Sequence, residues 1–175
     1  RVIGAESLAR WHHPTRGLLG PSVFVPAIET LGLIDELTFC VLRQAVRQLK
    51  LWQEQGHTLK LSVNVSMDNL NRLELPELFE KILQEHDIAP SAITLEVTET
   101  QLSHDYVLSL DILTRLRIKG FGLSIDDFGT GFSTMEHLMQ TPFTELKIDR
   151  AFVHGASNNS SAQAILEHSV QLGRQ

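Results

Sequence analysis

Seven side chains able to bind cations or move protons recur in one setting, at or near the ends of short β-rich runs. They are Glu6, Asn64, Glu96, Asp126, Asp127, Lys147 and Asp149, with Glu99 just beyond its own run. Carboxylates in such excess over one lysine cannot share a low-dielectric site without further positive charge. Hard oxygen donors of this kind suit Mg²⁺ or Mn²⁺, with Ca²⁺ as a further candidate, rather than a thiolate-seeking metal. The adjacent pair Asp126-Asp127 suits two ions about 3.5–4 Å apart, an arrangement used to hydrolyse phosphodiesters. A lone acidic residue is ordinarily solvated surface. A functional group closing every run, in the same phase each time, is a pattern.

The elements that must position these groups follow from periodicity. The β-rich runs are Val2 to Leu8, Leu59 to Ser66, Ile93 to Glu99, Phe121 to Asp127 and Thr144 to Asp149. Amphipathic stretches separate them. Leu37, Val41, Ala45, Leu49 and Trp52 mark one face of a long helix between Asp35 and Gly56. Leu78, Ile82 and Leu83 mark another, with Pro76 suited to its first turn. Tyr106 to Ile118, Thr134 to Met139 and Ala162 to Leu172 complete the set. Strands alternating with helices imply parallel βαβ units.

Within the runs, Gly4/Glu6, Ser62/Asn64, Thr94/Glu96, Ser124/Asp126 and Glu145/Lys147/Asp149 share one face, while Ile3/Ala5, Leu61/Val63, Leu95/Val97, Leu123/Ile125 and Leu146/Ile148 share the other. An open parallel sheet covered on both sides would be apolar on both faces. One apolar and one polar face fits a TIM-type (β/α) barrel, whose chemistry sits at the C-terminal mouth of its strands. About five to six βα units are present.

Other signals narrow the function. The chain has 175 residues, 15 Lys and Arg against 21 Asp and Glu, and a formal charge of −6, which argues against a partner gripped as duplex nucleic acid. A single Cys40, read as a packing residue, excludes an intramolecular disulfide framework and suits a reducing, cytoplasmic compartment. No apolar run reaches about 18 residues. Asp127-Phe128-Gly129 matches the kinase metal tripeptide, but the rest of the kinase signature set is missing. Gly129-Thr130-Gly131 lacks the P-loop frame and reads as a flexible loop leaving the fourth strand. His12 and His13 read as loop histidines. Arg10, on the exit loop after Glu6, suits either a bound phosphate or a surface ion pair.

Taken in order, these residues resemble a known family. Glu6-Ser7-Leu8 with Ala9-Arg10-Trp11 resembles the E-A-L-x-R-W signature of EAL domains, the cyclic di-GMP phosphodiesterases of bacterial signalling. His13-Pro14, Gly17, Pro21, Phe24, Pro26, Glu29 and Gly32 are similar to that family's following loop. Asn64-Val65-Ser66, Glu96-Val97-Thr98-Glu99, Asp126 to Gly131 and Lys147-Ile148-Asp149 resemble its N-[LV]-S, E-[LVI]-T-E, D-D-F-G-T-G and K-[IL]-D motifs. The resemblance implies that Glu6, Asn64, Glu96 and Asp126 ligate one metal, with Asp126 bridging and Asp127 serving the second. It implies that Lys147 contacts the attacking water or the scissile phosphate, that Arg10 grips a phosphate, and that Leu8, Asn64 and Asp127 adjoin the substrate. Glu99 would tether the Asp126-to-Met135 loop and Asp149 would brace it. The implied reaction opens cyclic di-GMP to linear pGpG by in-line attack of water activated by two Mg²⁺ or Mn²⁺ ions.

Ser7 stands where the signature has Ala, and Phe132 where Tyr is common; both are mild departures. The family's Q-P opening strand, its E-G-[VI]-E glutamate base and its Q-G-[YF] glutamine do not occur in the 175 residues. A full barrel takes about 250 residues. The expectation is one EAL-like domain over 1–175, truncated at both ends. These 175 residues alone are then expected to show no appreciable hydrolysis and to fold poorly, and the intact parent to be the enzyme. The alternative is a catalytically silent module that binds cyclic di-GMP or mediates dimerisation. An enolase-type lyase fits the carboxylates but not the ordered motifs. The resemblance further implies a homodimer and permits an upstream receiver, sensory or GGDEF domain, in the cytoplasm or the cytoplasmic part of a membrane-anchored parent.

Overall fold

The computed structural model describes residues 2–98, 106–130 and 140–173. Five parallel strands form its main sheet: β1 (Gly4–Ser7), β4 (Lys60–Asn64), β5 (Ile93–Thr98), β6 (Gly122–Phe128) and β7 (Glu145–Ile148), in that spatial order. A two-stranded antiparallel hairpin, β2 (Trp11–His13) and β3 (Gly17–Leu19), leaves the end of β1. The helices are α1 (Pro21–Thr30), α2 (Ile34–Glu54), α3 (Leu75–Gln84), α4 (Tyr106–Ile118), α5 (Arg150–Gly155) and α6 (Ser160–Leu172).

The strand order decides the architecture. A doubly wound sheet reverses its order at a switch point, placing helices on both faces. Here each new parallel strand is added on the same side of the last, so right-handed crossovers stack their helices on one face. The sheet is the five-stranded sector of a curled (β/α) barrel, as the one-sided polarity of the strands required. Leu61, Val63, Leu95, Val97, Leu123 and Ile125 are buried towards the helices.

The core between sheet and helices is joined by Leu42, Val46 and Leu49 of α2, Phe79, Ile82 and Leu83 of α3, and Ile112, Leu113 and Leu116 of α4. Phe79 is at its centre, fully buried and edge-on to Phe39 at 5.9 Å, with Phe121 tilted beside it at 6.4 Å. Phe79→Ala is therefore expected to cost about 3–5 kcal/mol, by transfer loss plus an unfilled cavity. Chemical denaturation checks this; a change below about 1 kcal/mol would place the core elsewhere.

Several expectations need correction. The runs at Val2 to Leu8, Leu59 to Ser66 and Thr144 to Asp149 form strands shorter than expected, because their outer residues leave the ladder, and β6 is shifted one residue onward from Phe121 to Asp127. In α2 the core face is Ile34, Thr38, Leu42, Ala45, Val46 and Leu49, a rotation from the stripe read at Leu37, Val41 and Trp52. Those three line a groove of about 1030 Å³ between α1, α2, the hairpin and β1. A helix with two apolar neighbours carries a wide stripe, and periodicity alone does not say which edge is deepest.

His12 and His13 lie in β2, not in a loop. His13 Nδ1 accepts from the backbone N–H groups of Thr15 and Arg16, both at 3.2 Å, and so closes the hairpin turn. Gly17 has φ +72°, the left-handed conformation that the turn requires. Helix α1 was legible only as loop punctuation, since Pro21 and Pro26 both disguise it. Pro21 sits in the first turn, where a missing N–H costs nothing. The stretch Thr134 to Met139 lies outside the described residues.

Candidate active site

The strand register builds the site row by row. Glu6 of β1 pairs with Ser62, Asn64 of β4 pairs with Glu96, and Thr98 of β5 pairs with Asp126. Each is a same-face partner in a parallel ladder, so side chains from four sequence-distant motifs climb one wall of the barrel mouth. Gly122 permits this packing: a Cβ there would lie 2.8 Å from Thr94 Oγ1.

Asp127 departs from the alternation. Ile125 pairs with Leu146 and Phe128 with Ile148, so β6 holds one residue more than β7 across this interval. Asp127 takes φ +54°, rare for a residue with a side chain. This is a β-bulge, the device that re-aims a side chain at a strand end. In a regular strand two adjacent carboxylates point to opposite faces. With the bulge, Asp126 reaches Lys147 while Asp127 lines the cleft beside Glu6 and Asn64.

Lys147 is the hub. Its ammonium lies 2.8 Å from Glu96 Oε1, 3.6 Å from Glu6 Oε2 and 3.7 Å from Asp126 Oδ1. Asn64 Nδ2 donates to Glu6 Oε1 at 3.1 Å. The Glu96 side chain has no exposed surface, and neither of its oxygens has a directed hydrogen-bond donor. Lys147 at 2.8 Å from Oε1 and the neighbouring Ser62 are the groups that favour its charged form. Burial pushes the Glu96 carboxyl above the usual carboxylate range against the opposing pull of Lys147. Burial alone would lower the lysine, but contact with Glu96 and the charges of Glu96, Asp126 and Glu6 hold it above its ordinary value. Asp127 is raised by burial, then by the negative charges of Asp126 and Asp149. Asp149 caps α5, its Oδ1 accepting from the Ala151 N–H at 2.6 Å.

The donor set fits a divalent cation. Among the described residues no three His, Cys, Asp or Glu side chains form a ready-made metal cage; the Lys147 ammonium lies among Glu6, Glu96 and Asp126 instead. Burial is the main cause that raises the Glu96 and Asp127 carboxyls, and concentrating carboxylates around one ammonium in such a setting is costly without further positive charge. Additional positive charge is what the geometry lacks.

A cleft of about 570 Å³ opens beside this cluster, between the strand ends and the helices α1 and α2. Leu8, Asn64 and Asp127 line it. Arg10 does not: its guanidinium donates to the Ala9 carbonyl at 2.8 Å and lines the larger groove on the hairpin side. Glu99 lies outside the described residues. Sequence reasoning missed Glu29 and Ser66, which meet at the cleft wall with Ser66 Oγ donating to Glu29 Oε1 at 3.2 Å. Both stood in quoted motifs, but nothing local showed that they face each other.

The site is thus a cluster of carboxylates, one amide and one lysine at the C-terminal mouth of a parallel (β/α)-barrel sector. The chain belongs to the EAL domain family, whose model matches residues 1–175. It is 41% identical over 174 residues to the bifunctional diguanylate cyclase/cyclic di-GMP phosphodiesterase MucR of Pseudomonas aeruginosa, covering 99% of this chain and 25% of MucR. It is 37% identical over 173 residues to the cyclic di-GMP phosphodiesterase RocR of the same species, covering 99% of this chain and 44% of RocR. Among solved structures, the PaMucR phosphodiesterase in complex with c-di-GMP superposes with a TM-score of 0.92 at 42% identity, over 98% of this chain and 70% of that one. The chain thus spans about a quarter to under half of these two curated relatives.

Proposed function

We propose that this domain hydrolyses cyclic di-GMP to linear pGpG, using two divalent cations, Mg²⁺ or Mn²⁺. The observation that carries the reading is the buried Glu96 gathered with Glu6 and Asp126 around Lys147, beside a cleft of about 570 Å³. Family membership and the cyclic di-GMP phosphodiesterases among the relatives support the substrate.

Glu6, Asn64, Glu96 and Asp126 would hold one cation, with Asp126 and Asp127 serving the other. Such cations, when bound, neutralise phosphate charge and lower the pKa of water. The remaining work falls to the chain itself. Lys147, kept charged by its carboxylates, stabilises negative charge developing on the phosphate as water attacks in line and the P–O bond opposite breaks, the hydroxyl joining phosphorus and the water's proton ending on the sugar oxygen that leaves. Asn64 orients Glu6 through its amide. Leu8 packs on the ligand from the cleft side, and Arg10 takes a phosphate after its guanidinium leaves the Ala9 carbonyl. Asp149 braces the β7–α5 junction as the cap of α5, and Glu99 would tether the loop after β6. Dimerisation, a cytoplasmic setting and a regulatory domain elsewhere in the protein belong to the same proposal. Among the described residues no helix is long and apolar enough to cross a membrane.

The test is pGpG release from cyclic di-GMP by the intact protein with Mg²⁺ or Mn²⁺. Turnover is expected to vanish in excess chelator and return on adding back either ion. Tight binding of the dinucleotide without pGpG, at any metal concentration, would instead identify a silent binding module.

A further inference from the structure

We infer that Asn69, outside the cleft, is a positioning residue that sets affinity for the substrate; the claim rests on the function proposed above. The segment after β4 turns sharply at Ser66 to Asn69, and Asn69 is completely buried although polar. Its backbone N–H donates to the Ser66 carbonyl at 3.0 Å, while its side-chain Oδ1 accepts from the Ser66 N–H at 2.9 Å. The two residues therefore clasp each other from both sides. Oδ1 also accepts from Thr38 Oγ1 at 3.0 Å, and Nδ2 donates to Asp35 Oδ1 at 2.7 Å. Asp35 Oδ2 is held in turn by Arg72 at 3.0 Å. One amide thus fastens the β4 exit turn to the first turn of α2, and Ser66 passes the connection on to Glu29 of α1.

Consider what depends on this clasp. Asn64 does not, since β4 is laddered to β1 on one side and β5 on the other, and Val65 N–H still donates to the Glu96 carbonyl at 2.8 Å. The carboxylate cluster is held by the sheet. The opposite wall of the cleft, formed by Glu29, Thr38 and Ser66, has no such ladder. Asn69 is the side chain that ties its Ser66 edge to α2. Loosening the clasp should therefore weaken substrate binding while leaving the reacting groups in place.

A polarity swap tests this. Asn69→Asp sets a carboxylate against Asp35 and removes the donor between them. Adding Asp35→Asn restores every bond in reverse: residue 35 then donates, residue 69 accepts, and Arg72 still finds an oxygen. With the intact protein, N69D is expected to raise KM about tenfold with kcat within about threefold, and N69D/D35N to return KM to near the starting value. Arg72→Met, at an exposed site unable to collapse the core, is expected to raise KM about threefold. Amide exchange at Ser66 should quicken in N69D and slow again in the swap, whether or not the protein is an enzyme. Unchanged KM and exchange in N69D, a defect that the swap does not repair, or a fall in kcat at constant KM would each overturn the assignment. If the starting protein releases no pGpG, the functional reading fails, and Ser66 exchange still decides the clasp.

Discussion

Glu96→Gln is expected to abolish turnover while leaving the protein as stable as before, or slightly more so. The opposite signs come from one cause. Glu96 is buried, and burial pushes its carboxyl upward despite Lys147 at 2.8 Å and the nearby Ser62, so its charge is a net cost to the fold. Glutamine keeps the shape, removes the charge, and brings an amide able to donate to Glu6 or Ser62. Removing one partner of a buried ion pair usually destabilises by leaving the other charge alone. Here Lys147 keeps Glu6 at 3.6 Å and Asp126 at 3.7 Å, and it reaches solvent. The net change in stability should therefore lie between zero and a gain of about 1 kcal/mol.

For catalysis, a neutral amide in the middle of the cation-binding set should lower turnover by about 10³-fold or more, about 4 kcal/mol of transition-state stabilisation. Rates of pGpG release and denaturation curves measured on one preparation check both halves. A variant that keeps more than a tenth of its turnover, or loses more than about 2 kcal/mol of stability, contradicts this assignment of Glu96. Such a trade of stability for function is common where charge is concentrated for chemistry.

Lys147→Met should do the reverse to the fold. Three carboxylates then face one another across the barrel mouth with no ammonium between them. In chelator the expected loss is about 2–4 kcal/mol, less than the extreme for a buried pair because Glu6 and Asp126 are partly solvated. Mn²⁺ should recover a larger share of stability in the variant than in the parent, because it replaces the missing positive charge and binds only the folded state. Turnover should still fall about 10²-fold, since a cation at the carboxylates does not supply a donor to the phosphate. Thermal melts with and without Mn²⁺ give the answer. Equal melting temperatures in chelator would show that Lys147 does not hold the carboxylates together.

How much of this was legible beforehand differs by residue. Helix α4 was read at its observed bounds, and Pro76 falls in the first turn of α3 as expected, because capping and periodicity are local. Helix α1 was missed, since prolines and a terminal glycine look like loop punctuation until the chain is seen to turn around them. The core face of α2 was misjudged by part of a turn because the helix touches both the sheet and the groove. Asn69 carried no signal at all. An asparagine among polar neighbours reads as surface, and only folding buries it against Thr38 and Asp35.

What the amino-acid order determined by itself was the alternation: which face of each strand is polar, which residue closes it, and the motifs that mark the EAL family. A period of two is a property of neighbouring residues, so it survives without any knowledge of the fold. What only the tertiary structure decided was convergence. Glu6 meets Asn64 across 58 residues because β1 and β4 are laddered in one register. Asp126 and Asp127 serve the same mouth because a bulge breaks the alternation at that point. Lys147 lies among three carboxylates, and Arg10 turns to the hairpin side, for reasons of register and twist between strands. Those are set by packing over the whole sheet, and no local window of sequence contains them.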